Sequence, residues 1–348
     1  METHSPKTGF FPALAVAAAL CWSPALALAA LKTPAVLESG PAVAALPAGS
    51  SGAAIQQALD ALPAAGGEID LAAGVFPIGQ PIVLQRDHQT LRGVGVATIL
   101  RLADNANCPV IVMGEPVNEP HRTVEHLLVS GLTIDGNRLH QQSELWLQTP
   151  DGSEIRNNGI TVQDVSDSAV KFVSCAHCRS GGLVTTLGVR HLTVQNLESF
   201  DNRFDGLACY LTTDSRFTNL NLHDNPGAGI SLDLSFDHND VSNAVLTAND
   251  LGIFMRASNN NRFQNITVRR SHHFGVFIAQ ADIATPHGWQ PLAHSQCTDN
   301  LFTGFSAVNC GGAAFHVNDT ACTNNVVSNS KVGVALHDAL PLAAAKTF

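Results

Sequence analysis

Positive charge is scarce in this sequence. Its 19 lysines and arginines stand against 29 aspartates and glutamates, which gives a formal net charge of −10. Nucleic acids are bound through clustered lysine and arginine, so this balance argues against a nucleic-acid partner. An acidic polymer would need a local basic strip on the surface, because the protein as a whole does not attract it.

Long apolar runs are also missing. The run 10–20 is shorter than the ~20 residues that span a bilayer, which argues against a transmembrane helix. It follows Lys7 and precedes the alanine-rich stretch 25–29, an order that is typical of a secretory signal peptide. We therefore predict a signal peptide over residues 1–29, a loose Ala/Pro-rich linker over residues 30–50, and a secreted or periplasmic protein without a membrane span after cleavage. A short membrane anchor is the alternative.

The spacing of a zinc finger is absent. Cys175 and Cys178 form a C-x-x-C pair around His177, but no second such pair follows at the required distance. Removal of residues 1–29 leaves an odd number of cysteines, which does not fit a complete disulfide framework. We predict buried thiols or one or two bridges, with a metal site as the alternative, for Cys108, Cys175, Cys178, Cys209, Cys297, Cys310 and Cys322.

Helical periodicity is weak over most of the chain, and glycine instead recurs at a nearly fixed interval. Successive spacings are 23, 24, 23, 23 and 23 residues, at Gly159, Gly182, Gly206, Gly229, Gly252 and Gly275. Each glycine opens a short strand whose apolar residues alternate with period 2. Repeats of this length, with several short strands each, stack as coils about 4.8 Å apart. The pattern predicts an all-β fold, a right-handed parallel β-helix over residues 51–340 with a C-terminal tail over 341–348.

One helix is expected. The segment Ala53–Leu62 has helical character, and Gly66 and Gly67 end it. We predict that it caps the open N-terminal end of the solenoid core, since an uncovered end exposes unpaired strand edges.

Several segments resemble the N-terminal cap and first coils of the pectate-lyase superfamily. They are 54–60, 66–71, 74–76, 90–95 and 132–137. The resemblance implies the β-helix fold and admits lyases, hydrolases, epimerases and phage tailspikes. Mannuronan C-5 epimerases of this superfamily are distantly similar: they carry an aspartate at the position of Asp233, and the segment 204–210 places Tyr210 where they have a histidine.

Strand alternation assigns side chains to faces. Residues one and three after each repeated glycine point into the core, and residues two and four point outward. The first outward column is Thr161, Val184, Ala208, Ser231, Phe254 and Phe277, and the second is Gln163, Thr186, Tyr210, Asp233, Arg256 and Ala279. The second column places a phenol, a carboxylate and a guanidinium on three successive coils, within about 10 Å. An ordinary surface ion pair between Asp233 and Arg256 is the alternative reading.

Two insertions interrupt the repeat, at 137–157 and 281–295, and long loops on a repeat scaffold often carry function. The predicted substrate contacts are Trp146, Trp289, His223, His238, Phe254 and Gln280. The predicted catalytic residues are Tyr210, Asp233, Arg256, His273, His272 and Asp205. In the alternative reading, each tryptophan only packs its own loop against the body, and the histidines are corner residues.

The phenol, carboxylate and guanidinium of the second outward column suit proton abstraction at C-5 of a uronate sugar. Arg256 would neutralise the sugar carboxylate, while Tyr210 and His273 or His272 would move protons. Elimination gives a lyase and reprotonation gives an epimerase. The alternatives are a hydrolase that pairs Asp233 with Asp205 or Asp237, and a non-catalytic glycan-binding or adhesion β-helix. The expected partner is a polysaccharide, and the protein is expected to be a monomer or a trimer. No cofactor is expected, with calcium at Asp233, Asp237 and Asp240 as an alternative.

Overall fold

A computed structural model describes residues 42–148, 154–282, 293–332 and 346–347. The predicted signal peptide, Trp289 and most of the predicted tail lie outside the described residues. Within them the chain forms one α-helix, one 3₁₀ turn and many short strands that follow one another as coils.

Short strands make up nearly all of the regular structure in the described residues. The helix α1 is Gly52–Asp60, and the 3₁₀ turn is Arg138–His140. The first strands are β1 (Ala42–Leu46), β2 (Gly67–Leu71), β3 (Gly74–Ile78), β4 (Ile82–Leu84), β5 (Gln89–Arg92), β6 (Thr98–Leu102), β7 (Ile111–Met113), β8 (Val124–Glu125), β9 (Leu128–Asp135), β10 (Leu145–Gln148), β11 (Glu154–Arg156), β12 (Ile160–Gln163), β13 (Val165–Ser166), β14 (Ala169–Ala176), β15 (Leu183–Thr186) and β16 (Val189–Arg190). The remaining strands are β17 (Thr193–Phe200), β18 (Leu207–Tyr210), β19 (Thr212–Thr213), β20 (Arg216–His223), β21 (Ala228–Asp233), β22 (Asp240–Thr247), β23 (Leu251–Arg256), β24 (Arg262–Arg269), β25 (Val276–Ala279), β26 (Leu301–Thr303), β27 (Ser306–Val308), β28 (Phe315–Val317), β29 (Val326–Ser328), β30 (Lys331–Val332) and β31 (Lys346–Thr347).

Among the described residues, the strands build three parallel sheets that run along the solenoid. The site sheet has the order β4-β7-β12-β15-β18-β21-β23-β25-β28. The long sheet follows β1-β2-β5-β9-β14-β17-β20-β22-β24-β26-β29, with β3, β6, β27 and β30 beside this path and β31 antiparallel at its end. The short sheet is β8-β13-β16-β19. Apart from β31, the strands of these three sheets pair in parallel with their equivalents one coil away, so the predicted parallel β-helix is confirmed.

The core is the row of inward-facing positions that alternation predicts. Every predicted inward residue of the site sheet from Ile160 to Ile278 is at most 1 % exposed. Large aromatic rings fill the core near the opposite wall, where Phe263 and Phe302 stack with ring centres 4.3 Å apart. Burial of these side chains supplies the main driving force for folding.

Buried asparagines at two corners hold successive coils in register. Asn202, Asn225 and Asn249 form one ladder, in which each side-chain oxygen accepts the backbone N–H of the residue one coil below. Asn239, Asn261, Asn300 and Asn325 form the second ladder in the same way. Because buried backbone donors need partners, these side chains fix the spacing of the coils.

The helix α1 confirms the predicted cap. Ser51 caps its N-terminus by accepting the backbone N–H of Ala54 at 3.3 Å, and Ile55 and Leu59 are buried against the first coil. The structure differs from the expected loose linker at its end, because Ala42–Leu46 forms β1 and pairs with β2. The alanine-rich sequence has weak strand propensity, but backbone pairing with the free edge of β2 compensates for it.

Candidate functional site

A cavity of about 600 Å³ lies on the outer face of the site sheet, beside the hairpin formed by β10 and β11. Its lining includes five of the predicted catalytic and substrate-contact residues, namely Asp205, Tyr210, Asp233, Phe254 and Arg256. The strands β18, β21 and β23 supply four of these side chains, and the turn before β18 supplies Asp205.

The coil register brings the three polar groups of the second column together. Tyr210 pairs directly with Asp233, and Leu232 pairs with Met255, which places Arg256 beside Asp233 on the next coil. Asp233 and Arg256 are in direct contact, with the guanidinium Nε 2.9 Å from Asp233 Oδ2. The predicted registry of phenol, carboxylate and guanidinium is therefore confirmed.

Asp233 is almost fully buried, at 3 % exposure, although it lies on the outward face. Its Oδ1 accepts the backbone N–H of Leu234 at 2.8 Å, and its Oδ2 accepts two N–H groups of Arg256. A buried carboxylate needs such partners to offset its desolvation. The pair is thus more than an exposed surface ion pair, because Arg256 holds a buried charge in place.

Asp205 occupies a different electrostatic environment. One side-chain oxygen accepts the backbone N–H of Ala228 at 2.6 Å, but desolvation dominates and raises the pKa of Asp205 from 3.8 to about 6. The carboxyl group thus changes its protonation state near pH 6. Such a group can act as a general acid or a general base.

Tyr210 stays protonated in the cavity. Desolvation raises the pKa of its phenol well above the usual value, and the nearby carboxylates of Asp205 and Asp233 raise it further. The phenol is therefore a hydrogen-bond donor and a weak acid at neutral pH rather than a phenolate base.

Arg156 is a site residue that the sequence does not reveal. It ends the hairpin strand β11, lines the cavity, and lowers the pKa of both Asp205 and Tyr210 by its charge. Its guanidinium lies 5.7 Å from the ring centre of Phe204 and 3.8 Å from Glu144. Because the hairpin lies outside the 23-residue repeat, the repeat spacing does not predict that Arg156 lies in the site.

The predicted aromatic contact Phe254 lies at the cavity edge, but its ring is engaged by neighbours. It stacks on Phe277 with ring centres 5.9 Å apart, and the guanidinium of Arg256 lies 5.3 Å from its centre. Phe277 in turn stacks on His316 at 5.3 Å. This column of rings leaves less of the Phe254 face for a sugar than an isolated aromatic residue would.

The structure places the predicted histidines outside the cavity lining. His273 pairs with Asp250 at 2.7 Å on an exposed corner, and His272 is exposed beside it. His223 is held between Glu198 and Asp224 on the long sheet, and these carboxylates raise its pKa.

The remaining predicted contacts are also dispersed. The side chain of Gln280 donates a hydrogen bond to Ser295 Oγ at 2.9 Å. His238 lies at an exposed corner, where its backbone N–H donates to the carbonyl oxygen of Asn259. Trp146 packs half-buried against the core, as in the alternative reading in which it folds its own loop. Trp289 lies outside the described residues.

All three aspartates considered for calcium have protein partners, since Asp240 also lies 4.0 Å from the guanidinium of Arg216. Asp233 binds Arg256, and Asp237 contacts His294 Nε2 at 2.9 Å. In the described part of the chain, no three or more His, Cys, Asp or Glu side chains converge in a way that could hold a metal ion.

The family described as periplasmic copper-binding protein (NosD) matches residues 89–269, more than half of the 348 residues. The chain belongs to the NosD family. A second family, described as right handed beta helix region, matches residues 233–340 of this NosD-family protein. All residues that line the cavity fall between Asn118 and Arg256, inside the first match. No curated protein matches the sequence significantly.

Solved structures share the fold at low identity. A Geobacillus virus E2 protein, ORF18, aligns with TM-score 0.58 and 14 % identity over 83 % of this chain and 61 % of its own length. The A-module of mannuronan C-5 epimerase AlgE4 from Azotobacter vinelandii aligns with TM-score 0.53 and 16 % identity, over 83 % of this chain and 95 % of the module. The N-terminal fragment of bacteriophage phi29 gene product 12 aligns with TM-score 0.53 and 16 % identity, over 81 % of this chain and 54 % of its own. The NosD-family chain thus spans less than two thirds of either viral protein, and these likenesses support the β-helix fold.

The cavity does not fit the copper that the family description names. Copper prefers thiolate, thioether and imidazole ligands, whereas the described lining contributes carboxylates, amides, hydroxyls and two guanidinium groups. The seven described thiols are buried, and burial raises the pKa of Cys108, Cys175 and Cys209 to about 12. The described residues therefore hold no evident copper site of three or more ligands.

The family description is that of a periplasmic protein. Among the described residues, no helix is long and apolar enough to cross a membrane.

Proposed function

We propose that the cavity binds an acidic polysaccharide and catalyses proton transfer at C-5 of a uronate sugar. The observation that carries this proposal is the grouping of a titratable carboxyl, Asp205, and a protonated phenol, Tyr210, next to the guanidinium groups of Arg156 and Arg256. The cationic groups suit a sugar carboxylate, and the other two suit general acid–base chemistry.

Each group has a distinct role in this proposal. The guanidinium groups of Arg256 and Arg156 bind the uronate carboxylate and stabilise the negative charge that develops when C-5 loses its proton. Ionised Asp205 accepts that proton, because its raised pKa makes it a stronger base than an ordinary aspartate. Tyr210 donates a proton to the leaving oxygen in an elimination, or to the opposite face of C-5 in an epimerisation. Asp233 positions Arg256.

Glycoside hydrolysis is the second candidate, favoured by one specific observation. The cavity holds two carboxyl groups in contrasting environments, since Asp205 has a raised pKa while Asp233 is paired with Arg256. Hydrolases use such a contrast between a protonated acid and an ionised partner. In that reaction Asp205 would protonate the leaving oxygen.

The experiment separates the candidates by their products. The full chain is incubated with polymers of mannuronate, guluronate and galacturonate. Ultraviolet absorbance of unsaturated ends reports elimination, proton NMR reports epimerisation, and new reducing ends without unsaturation report hydrolysis. Binding without any product on all three polymers would overturn the enzymatic proposal in favour of a glycan-binding role.

The variants Tyr210→Phe and Asp205→Asn test the assigned groups. Each is expected to lower turnover about 10²- to 10⁴-fold, the usual contribution of a positioned acid or base. Gln264→Ala is the matched control, because Gln264 is exposed on the long sheet and does not line the cavity. Equal activity of Tyr210→Phe and the control would remove the phenol from the reaction.

A further inference from the structure

Two cysteines lie at equivalent positions of neighbouring coils near the C-terminal end of the described solenoid. Cys297 and Cys322 are 25 residues apart, the same offset that pairs Leu301 with Val326 in the strands that follow. The asparagine ladder repeats this offset, because the backbone N–H of Asn300 bonds Asn325 Oδ1.

Equivalent positions of stacked strands are about 4.8 Å apart. This spacing falls inside the range of Cα separations that disulfides require, roughly 4.4–6.8 Å. The side chain of Asn325 also binds the carbonyl oxygen of Cys297 at 3.0 Å, which fixes the two corners against each other.

The two cysteines are already in contact. The backbone N–H of Cys297 donates to Cys322 Sγ at 3.4 Å, while the Cys297 thiol donates to the carbonyl oxygen of Ala279 at 3.6 Å. Both cysteines are buried, but the turn around Cys322 is open, since Ala321 and Thr323 on either side of it are exposed. The hydrogen bonds from Cys297 lower the pKa of the Cys322 thiol to about 7, which favours a reactive thiolate at neutral pH.

We propose that Cys297 and Cys322 form a disulfide that joins the last described coils in an oxidising compartment. A disulfide oxidant such as oxidised glutathione accepts the two electrons that the protein thiols lose. The Cys322 thiolate attacks one sulfur of the oxidant, forms a mixed disulfide and releases one glutathione thiolate. Cys297 then loses its proton, and its sulfur displaces the second glutathione from Cys322. Two protein thiols are oxidised and one glutathione disulfide is reduced to two thiols.

The other close pair of cysteines provides the contrast. Cys175 and Cys178 are three residues apart in one coil and both are fully buried. Desolvation raises the pKa of both thiols, and the Cys178 sulfur contacts the carbonyl oxygen of Ala176 at 3.6 Å. These thiols are expected to stay reduced under the same conditions.

The test exposes the folded full chain to a glutathione redox buffer, blocks free thiols with N-ethylmaleimide under denaturing conditions, and maps the peptides by mass spectrometry without reduction. The expected result is one cross-linked peptide pair that contains Cys297 and Cys322, with Cys175 and Cys178 alkylated. Recovery of Cys297 and Cys322 as alkylated peptides, or a bridge between Cys175 and Cys178 in their place, overturns the proposal.

Thermal unfolding gives a second, independent readout. Oxidation is expected to raise the unfolding midpoint of the wild type by about 5 °C, because the cross-link restricts the unfolded chain. The double variant Cys297→Ala/Cys322→Ala should lose this oxidant-dependent rise, whatever its own starting stability. Cys209→Ala is the matched control, since it removes a buried thiol without a sulfur partner and should keep the rise; an equal rise in the double variant contradicts the proposal.

Discussion

At the scale of single residues, the cavity depends on two aspartates with opposite environments. Asp233 is stabilised by Arg256 and a backbone N–H, whereas Asp205 has one backbone donor and a pKa that desolvation raises. Similar chemical groups therefore have different protonation behaviour within one cavity. This difference is what an acid–base reaction requires.

The raised pKa of Asp205 makes a prediction about pH and stability. The folded protein binds the Asp205 proton more tightly than the unfolded chain, whose pKa is 3.8, so this residue's favourable contribution is complete below that value and is lost as the pH rises to about 6. The variant Asp205→Asn should remove this part of the pH dependence. The check is the unfolding midpoint of both proteins between pH 4 and pH 6.

The wild type is expected to lose stability across that interval relative to the variant. Asp214→Asn serves as the control, because it replaces an aspartate outside the cavity lining. A variant Asp205→Asn that keeps the wild-type pH dependence would mean that Asp205 titrates at an ordinary pKa.

The sequence revealed the centre of this site because its residues lie in the repeat. Strand alternation and the 23-residue offset were enough to place Tyr210, Asp233 and Arg256 side by side. Arg156 was missed because a non-repeating hairpin carries it. Residue chemistry alone suggests the histidines, and none of the four lines the cavity. His273 is held in an ion pair with Asp250 and His223 in ion pairs with Glu198 and Asp224, while His272 and His238 are exposed.

At the scale of elements, the asparagine ladders define the height of each coil. Asn225 is central to one ladder: its Oδ1 accepts the backbone N–H of Asn202, and its Nδ2 donates to Asn249 Oδ1 and to Ser199 O. The sequence indicates asparagine at corners, where left-handed backbone is common. It does not show which asparagines point inward, because this depends on the exact path of the turn.

Replacement of Asn225 by alanine is expected to destabilise the fold strongly. The change leaves the buried N–H of Asn202 without its acceptor, and each unsatisfied buried group costs about 1–3 kcal/mol. We expect a loss of roughly 2–4 kcal/mol in the free energy of unfolding. Urea denaturation measures the difference.

The matched control is Asn243→Gly on the outer face of the long sheet. Asn243 has φ +54° and makes only exposed side-chain bonds to Asn219 and Asn265, and glycine tolerates that backbone conformation. A change of about 0.5 kcal/mol or less is expected there. Equal losses at Asn225 and Asn243 would contradict a special role for the buried ladder.

At the scale of the whole molecule, the described chain is a stack in which most contacts join neighbouring coils. Its stability is then approximately a sum of local terms, unlike that of a globular core. The repeat predicted this architecture, and the helical segment after residue 50 predicted the cap. The strand β1 was not predicted, because its pairing with β2 comes from an available sheet edge and not from the composition of residues 42–46.

A substitution in the cap tests this local additivity. Ile55→Ala removes a fully buried side chain between α1 and the first coil, and should cost about 2–5 kcal/mol locally. Hydrogen exchange is expected to accelerate in residues 67–102 and to stay at wild-type rates in β21 and β23. Uniform acceleration along the solenoid would show instead that the coils unfold as one cooperative unit.

Tyr210, Asp233 and Arg256 come from three successive coils, one residue from each. This arrangement restricts where coils can be gained or lost during evolution without disrupting the cavity. Gain or loss of a complete coil elsewhere changes the number of coils and leaves these neighbours adjacent, whereas insertion of a coil between residues 210 and 256 separates them. We therefore expect changes in the number of coils to preserve the cavity when they fall outside residues 156–256, and to disrupt it when they fall inside this range.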